Sequence, residues 1–194
     1  NSHPVTLFVI ADLFMSEEFN QWFSHLLEAY PERLTVGCHG LNHRSWSAWP
    51  EDKSGFSQAL QQATQILRKM AGDAYRPWFR APGGYMAPWM ASVLAEHGYT
   101  VDSSINPSWL VKRKAGKGNS WADVNQSLQD SNLVSRPWKT SLSLPMNGPA
   151  LSLFPLSILA RWSWRKAPPS IEAKDIDRAI TDSKSSNCNG SSAI

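Results

Sequence analysis

Apolar runs and amphipathic stretches alternate along the first hundred residues. Pro4 to Ile10 reads PVTLFVI, β-branched and aromatic and almost without a polar break, which predicts a strand buried on both faces. Ser16 then offers a helix N-cap, with Glu17 and Glu18 in the first turn, where carboxylates suit the positive end of the helix dipole. Phe19, Trp22, Phe23, Leu26 and Leu27 recur at helical spacing and predict an amphipathic helix to about Tyr30, stopped by Pro31. Arg33 to Cys38 is a second strand, followed by a loop over 39–53. A second helix from about Ser54 to Met70 buries Phe56, Leu60, Thr64, Leu67 and Met70, and Gly72 closes it. Trp78-Phe79-Arg80 is a third short strand, broken by Pro82-Gly83-Gly84. Pro88 suits the first turn of a third helix ending near His97-Gly98, and Tyr99 to Ser103 is a fourth strand.

This β-α-β-α-β-α-β order predicts an α/β fold with a parallel sheet or barrel and helices outside it. In such folds chemistry gathers at the C-terminal ends of the strands. His39, Arg80 and Asp102 each fall at or just after a strand end, so one rim can hold all three despite their separation in sequence. The second half is less regular. Residues 107–131 read as a long loop or irregular segment; short strands are expected at Leu133 to Arg136, Leu142 to Leu144 and Leu151 to Phe154, with a helix from Pro155 towards Trp164. From Ala167 the composition turns polar and low in complexity, which predicts a domain over 1–166 and a divergent or disordered tail over 167–194.

Composition narrows the function classes. The chain has 194 residues, 42% of them hydrophobic, enough for one core of ordinary domain size. Its formal charge of +3 is mild, and the densest basic patch, Lys112-Arg113-Lys114 with Lys117, sits in a loop. A nucleic-acid partner is therefore not expected; the patch reads as a solvated loop, though an anionic glycan could also use it. Ten tryptophans are many for this length. Trp46, Trp49, Trp89 and Trp109 fall in or beside loops, where flat aromatic faces suit sugar rings, although each singly is more ordinary as core or loop anchor. Two cysteines imply no disulfide framework, no apolar run is long enough for a transmembrane helix, and Asn1-Ser2-His3-Pro4 does not read as a signal peptide.

Three clusters carry chemistry. Cys38-His39-Gly40-Leu41-Asn42-His43 spaces two imidazoles four apart, on one face if the segment makes a helical turn, and neutral imidazole is a common zinc ligand. Alone, an HxxxH is a weak signal better explained by two loop histidines, and Gly40 stands where the metalloprotease motif needs Glu. Phe79-Arg80-Ala81-Pro82-Gly83-Gly84-Tyr85 delivers an arginine to the rim and then turns sharply; alone it is an ordinary turn with a surface arginine. Gly98-Tyr99-Thr100-Val101-Asp102-Ser103-Ser104 ends a strand in Asp-Ser-Ser, equally a cap, a turn or a site wall.

In this order the three clusters resemble the polysaccharide deacetylase (NodB-homology) family. H-G-x-x-H at His39 and His43 is similar to the family's zinc motif, F-R-A-P-G-G at Phe79 to Gly84 resembles its arginine motif, and Leu94 to Pro107 resembles the segment that follows. Val5 to Ile10 resembles the strand before the histidines, and Leu144-Pro145 through Phe154-Pro155 a late segment, so the likeness runs over roughly residues 4–165. It implies a distorted, incomplete (β/α) barrel and a hydrolase that uses zinc or another divalent metal to remove acetyl groups from an N-acetylated carbohydrate. His39 and His43 would hold the metal. Arg80 would orient a catalytic aspartate, and the backbone N–H of Gly83, where the family often has Tyr, would bind the developing oxyanion. Family members are often secreted or at the cell envelope; nothing in these residues adds a location.

The likeness has gaps. The family's first motif, a strand ending in two aspartates that serve as base and third metal ligand, should precede Val5 and is not in this sequence. The late histidine that acts as general acid has no counterpart, since residues 150–194 contain no histidine. The expectations are an incomplete chain with its first strand missing, a degenerate relative that binds glycan without turnover, or a substitute ligand such as Asp12. A hydrolase of other non-peptide C–N amide bonds on the same fold is a further alternative.

Overall fold

The computed structural model describes residues 4–138, 140–141, 144–145 and 158. Five parallel strands lie in sequence order in one sheet: β1 (Val5–Val9), β2 (Leu34–Cys38), β3 (Tyr75–Phe79), β4 (Val101–Asp102) and β5 (Val134–Ser135). Four helices alternate with them: α1 (Glu17–Ala29), α2 (Lys53–Ala71), α3 (Pro88–Glu96) and α4 (Trp121–Asp130). The fold is thus α/β, as the alternation predicts. Because right-handed crossovers between successive neighbours all return over the same side, a sequential order puts the helices on one face and leaves the other as an inner face, as in a barrel. Among the described residues the sheet does not close: β1 and β5 are its two edges. A separate antiparallel pair, β6 (Thr140–Ser141) and β7 (Leu144–Pro145), follows.

Strand alternation sorts the side chains. Val9, Val36, Cys38, Tyr75 and Phe79 enter the main core beneath the helices, with Phe23 of α1, Phe56, Leu60 and Leu67 of α2, Met90 and Leu94 of α3, and Val124 and Leu128 of α4. Trp78 and Val101 form a smaller cluster with Phe8 and Val134. These residues have the opposite strand parity, so they line the inner face. Gly37 belongs to that face because a Cβ there would meet the Phe8 ring at 2.8 Å and the Trp78 carbonyl at 3.0 Å.

Several expectations need correction. β1 is not buried on both faces: Val5 is 52% exposed and only Val9 of the strand is buried, because β1 pairs on one side alone. Residues 107–131 are not irregular; they hold a 3-10 helix over Trp109–Ala115 and then α4. The expected strand at 151–154, the helix after Pro155 and the proposed boundary near 166 lie outside the described residues, apart from a helical Ile158. Of the four loop tryptophans, Trp46 is buried and Trp89 stands in α3 with its ring against Phe56, whereas Trp49 is 64% exposed. The side chain of Trp109 lies outside the described residues.

Candidate active site at the strand ends

Register brings the three sequence clusters to one edge. Cys38 pairs with Phe79 and Phe79 with Asp102, so the residues that follow, His39, Arg80 and Ser103, emerge at the same level. Two steps of alternation from Gly37 and Trp78 carry His39 and Arg80 onto the inner face. The backbone fixes this rim, with His39 N–H donating to the Val9 carbonyl at 2.9 Å, Arg80 N–H to Cys38 at 2.9 Å and Ser103 N–H to Phe79 at 2.8 Å.

The two histidines meet without a helical turn. Residues 39–45 form a bent loop in which Gly40 has φ +90, and the two rings lie edge to face with centroids 5.3 Å apart. His39 Nδ1 is 2.7 Å from the Arg80 carbonyl oxygen. A carbonyl only accepts, so Nδ1 carries the proton and the other ring nitrogen keeps its lone pair. Burial lowers the His39 pKa below the usual histidine value, with nearby His43 and Arg80 adding to it against the opposing carbonyl bond. The ring is therefore neutral at pH 7. Cys38, adjacent in sequence, faces the helices instead; burial pushes its thiol up to about 11, and its sulfur accepts from the Gly40 N–H at 3.3 Å.

Arg80 is held on several sides. Its Nε donates to the Ser103 carbonyl at 3.1 Å and its Nη2 to Ser103 Oγ at 2.8 Å. The guanidinium lies 4.6 Å from the centroid of Phe8 and 5.2 Å from that of Trp138, an arrangement that suits a planar cation. Trp138 is fixed in turn by its Nε1–H to the Ser103 carbonyl at 2.8 Å. No carboxylate among the described residues lies within ion-pairing distance of Arg80. Burial lowers its pKa, partly offset by Asp102.

Asp102 is fully buried behind this rim. Its carboxylate accepts from Ser104 N–H at 2.9 Å and Ser104 Oγ at 2.6 Å, and Ser104 Oγ itself accepts from Ala81 N–H at 2.8 Å. This chain of bonds ties the Asp-Ser-Ser segment to the turn after Arg80. In that turn Gly83 has φ +60, and its carbonyl accepts from Lys114 Nζ at 2.7 Å. In the sequence, Ser103 and Ser104 stand out only within the Asp-Ser-Ser run and Lys114 only within a solvated basic patch, and Trp138 does not stand out. Neither signal places Lys114 or the serines against Arg80 and its turn, and Trp138 arrives from a segment with no motif.

His39 and His43 fit a divalent metal as two nitrogen donors, with His39 oriented by a backbone carbonyl as metal-binding imidazoles commonly are. Catalytic zinc sites take three protein ligands, and among the described residues no group of three His, Cys, Asp or Glu could hold an ion. Asp12 runs beside the histidine loop, its N–H donating to the Leu41 carbonyl at 2.8 Å, but it completes no such group. The described residues thus provide part of a metal set. No helix among them is long and apolar enough to cross a membrane.

A family model for polysaccharide deacetylase matches residues 1–101, which include both the histidine and arginine clusters. A peptidoglycan deacetylase of Helicobacter pylori is 24% identical over 169 residues, covering 79% of this chain and 51% of that protein. The chain therefore spans about half the length of the curated relative it matches. A crystal structure of a candidate polysaccharide deacetylase from Mycobacterium smegmatis superposes with a TM-score of 0.45 at 15% identity, over 88% of this chain and 76% of that one.

Proposed function

Because the chain belongs to the polysaccharide deacetylase family, we propose that it acts as a metal-dependent hydrolase that removes acetyl groups from an N-acetylated carbohydrate, working with carboxylates beyond the described residues. The observation that carries this reading is the bond from His39 Nδ1 to the Arg80 carbonyl. It joins the two family clusters physically and leaves one imidazole nitrogen available as a ligand.

In this reading His39 and His43 would hold the metal, zinc or another divalent ion, which would supply Lewis-acid polarisation of the acetyl carbonyl and an activated water. The chain's own residues do the positioning. Arg80, pinned by Ser103 and bracketed by Phe8 and Trp138, presents its remaining guanidinium N–H groups to a carboxylate base. The Gly83 N–H donates to the oxyanion that develops on the acetyl oxygen, and Lys114 holds the opposite side of that turn through the Gly83 carbonyl. Overall, water adds across the amide C–N bond, the nitrogen takes a proton, and acetate leaves.

The test is acetate release from N-acetylated oligosaccharides by the full chain, with chelator and with zinc restored. The expected result is zinc-dependent release that His39→Ala abolishes. Release that survives chelation and His39→Ala overturns the reading. The exposed Trp49 favours one rival, a glycan-binding relative without turnover. Glycan binding that persists with chelator and in His39→Ala, with no acetate formed, would establish that rival.

A further inference from the structure

Beside the strand-end site lies a cleft of 620 Å³, between the loop after the histidines and the start of α4. Lys112, Arg113 and Lys117 line it, all exposed, together with Ser47 and Asn119. Among the described residues none of these three cations is ion-paired with a carboxylate. Asp123 is the single acid on the cleft wall, and it is engaged locally: one of its oxygens accepts from both Ser120 N–H at 2.7 Å and Ser120 Oγ at 2.8 Å. The wall therefore presents net positive charge, three cations against the one carboxylate of Asp123.

The cleft is fastened to the candidate active site. Lys114, between Arg113 and the glycines, donates through Nζ to the Gly83 carbonyl. Its own carbonyl accepts from Ser47 Oγ at 2.7 Å and from Met86 N–H at 3.0 Å. One lysine thus joins the basic loop, the turn after Arg80 and the loop after His43.

We propose that this cleft is a subsite for a carboxylate carried on the glycan, recognised by Lys112, Arg113 and Lys117. The proposal rests on the deacetylase reading for the glycan itself. Size argues for a substituent on a sugar over a free anion, because the volume lies within the range of small-molecule pockets and far exceeds a single oxyanion. Charge argues for an acidic sugar over a neutral one. Three cations on one wall gain nothing from hydroxyl groups that water does not already supply, whereas a carboxylate is attracted to all three.

The test is calorimetric binding by the full chain of a hyaluronan tetrasaccharide, its carboxyl-reduced counterpart and inorganic phosphate, at low and at high salt. The acidic tetrasaccharide is expected to bind roughly tenfold tighter than the reduced one, with the advantage shrinking as salt screens it. In the Lys112→Ala, Arg113→Ala, Lys117→Ala triple variant the two sugars are expected to bind alike, with the neutral one unchanged. Equal affinity in the parent chain, no measurable binding of the acidic sugar, an advantage that survives the triple variant, or phosphate that binds as tightly as the acidic sugar would each overturn the proposal. Binding needs no turnover, so the His39→Ala variant separates the two readings. If it keeps the preference for the acidic sugar while no acetate is released by any form, the subsite stands and the hydrolase reading falls.

Discussion

Asp102 is the one carboxylic acid fully buried among the described residues, and burial raises its pKa to about 6 against the opposing hydrogen bonds from Ser104 and the field of Arg80. A carboxyl that titrates higher in the folded than in the unfolded chain holds more protons when folded. Its contribution is therefore greatest at low pH and is lost as pH rises from about 4 to about 6. The full loss is about 3 kcal/mol at most, from roughly two pKa units at about 1.4 kcal/mol each. In Asp102→Asn the amide cannot ionise, so the variant's stability relative to the parent should rise between pH 4 and 6 and level off above. Urea melts across that range measure it; a constant difference would show that Asp102 ionises in the fold as it does in water. Gly40 makes a second residue-level case. Its φ of +90 is strained for any L side chain, and a Cβ there would sit 2.9 Å from the Asn42 carbonyl. Gly40→Ala should cost about 1–3 kcal/mol and part the two imidazoles. A thermal melt together with metal titration would show both effects, and an unchanged melt would count against the loop geometry. That same glycine is why the HxxxH spacing misled: the histidines do face each other, but through a left-handed bend and not a helical turn.

The elements differ in how plainly they show in sequence. β2, α1, α2 and α3 were legible because each couples a dense apolar period to clear ends: Ser16 accepts from Phe19 N–H, and Pro88 opens α3. α4 was not, although it is a regular helix. Its buried face rests on Val124 and Leu128 with partly buried Trp121, too few apolar positions to stand out after a loop rich in glycine and lysine. The missed signal was its capping box, in which Ser120 Oγ accepts from Asp123 N–H at 3.3 Å and Asp123 accepts in return from Ser120 N–H. With so small a buried face, α4 should depend on that cap. Ser120→Ala is expected to destabilise by about 1 kcal/mol, read from denaturant midpoints at an unchanged slope. A loss near zero would mean that packing against α3 alone holds the helix. The site followed the same division. His39, Arg80 and Asp102 stand at strand ends that pattern alone locates, whereas Trp138 and Lys114 reach the rim from segments whose sequence carries no period.

Across the molecule, one core ties the helices to the sheet, and Phe56 stands near its centre with its ring against Trp46, Phe79 and Trp89. The sheet itself is unevenly supported. β2 is paired on both sides and buried almost throughout, whereas among the described residues β1 pairs only with β2. Val5 N–H donates to Arg33 and the Val9 carbonyl accepts from His39 N–H, so the odd-numbered residues of β1 face β2. In a parallel strand the backbone groups of successive residues point to opposite sides, which turns the amides of Thr6 and Phe8 towards the outer edge. Hydrogen exchange resolves this residue by residue. Amides of β2 should open only with the global unfolding of the sheet, while those of Thr6 and Phe8 should exchange orders of magnitude faster through local fluctuation. The contrast within β1 is the decisive measurement, since Val5, Leu7 and Val9 share the same strand and much the same solvent. If Thr6 and Phe8 are as slow as their neighbours, the outer edge of β1 has a strand partner beyond the described residues. The candidate site lies at the end of that same sheet, so such a partner would be in position to bring the carboxylates that His39, His43 and Arg80 lack.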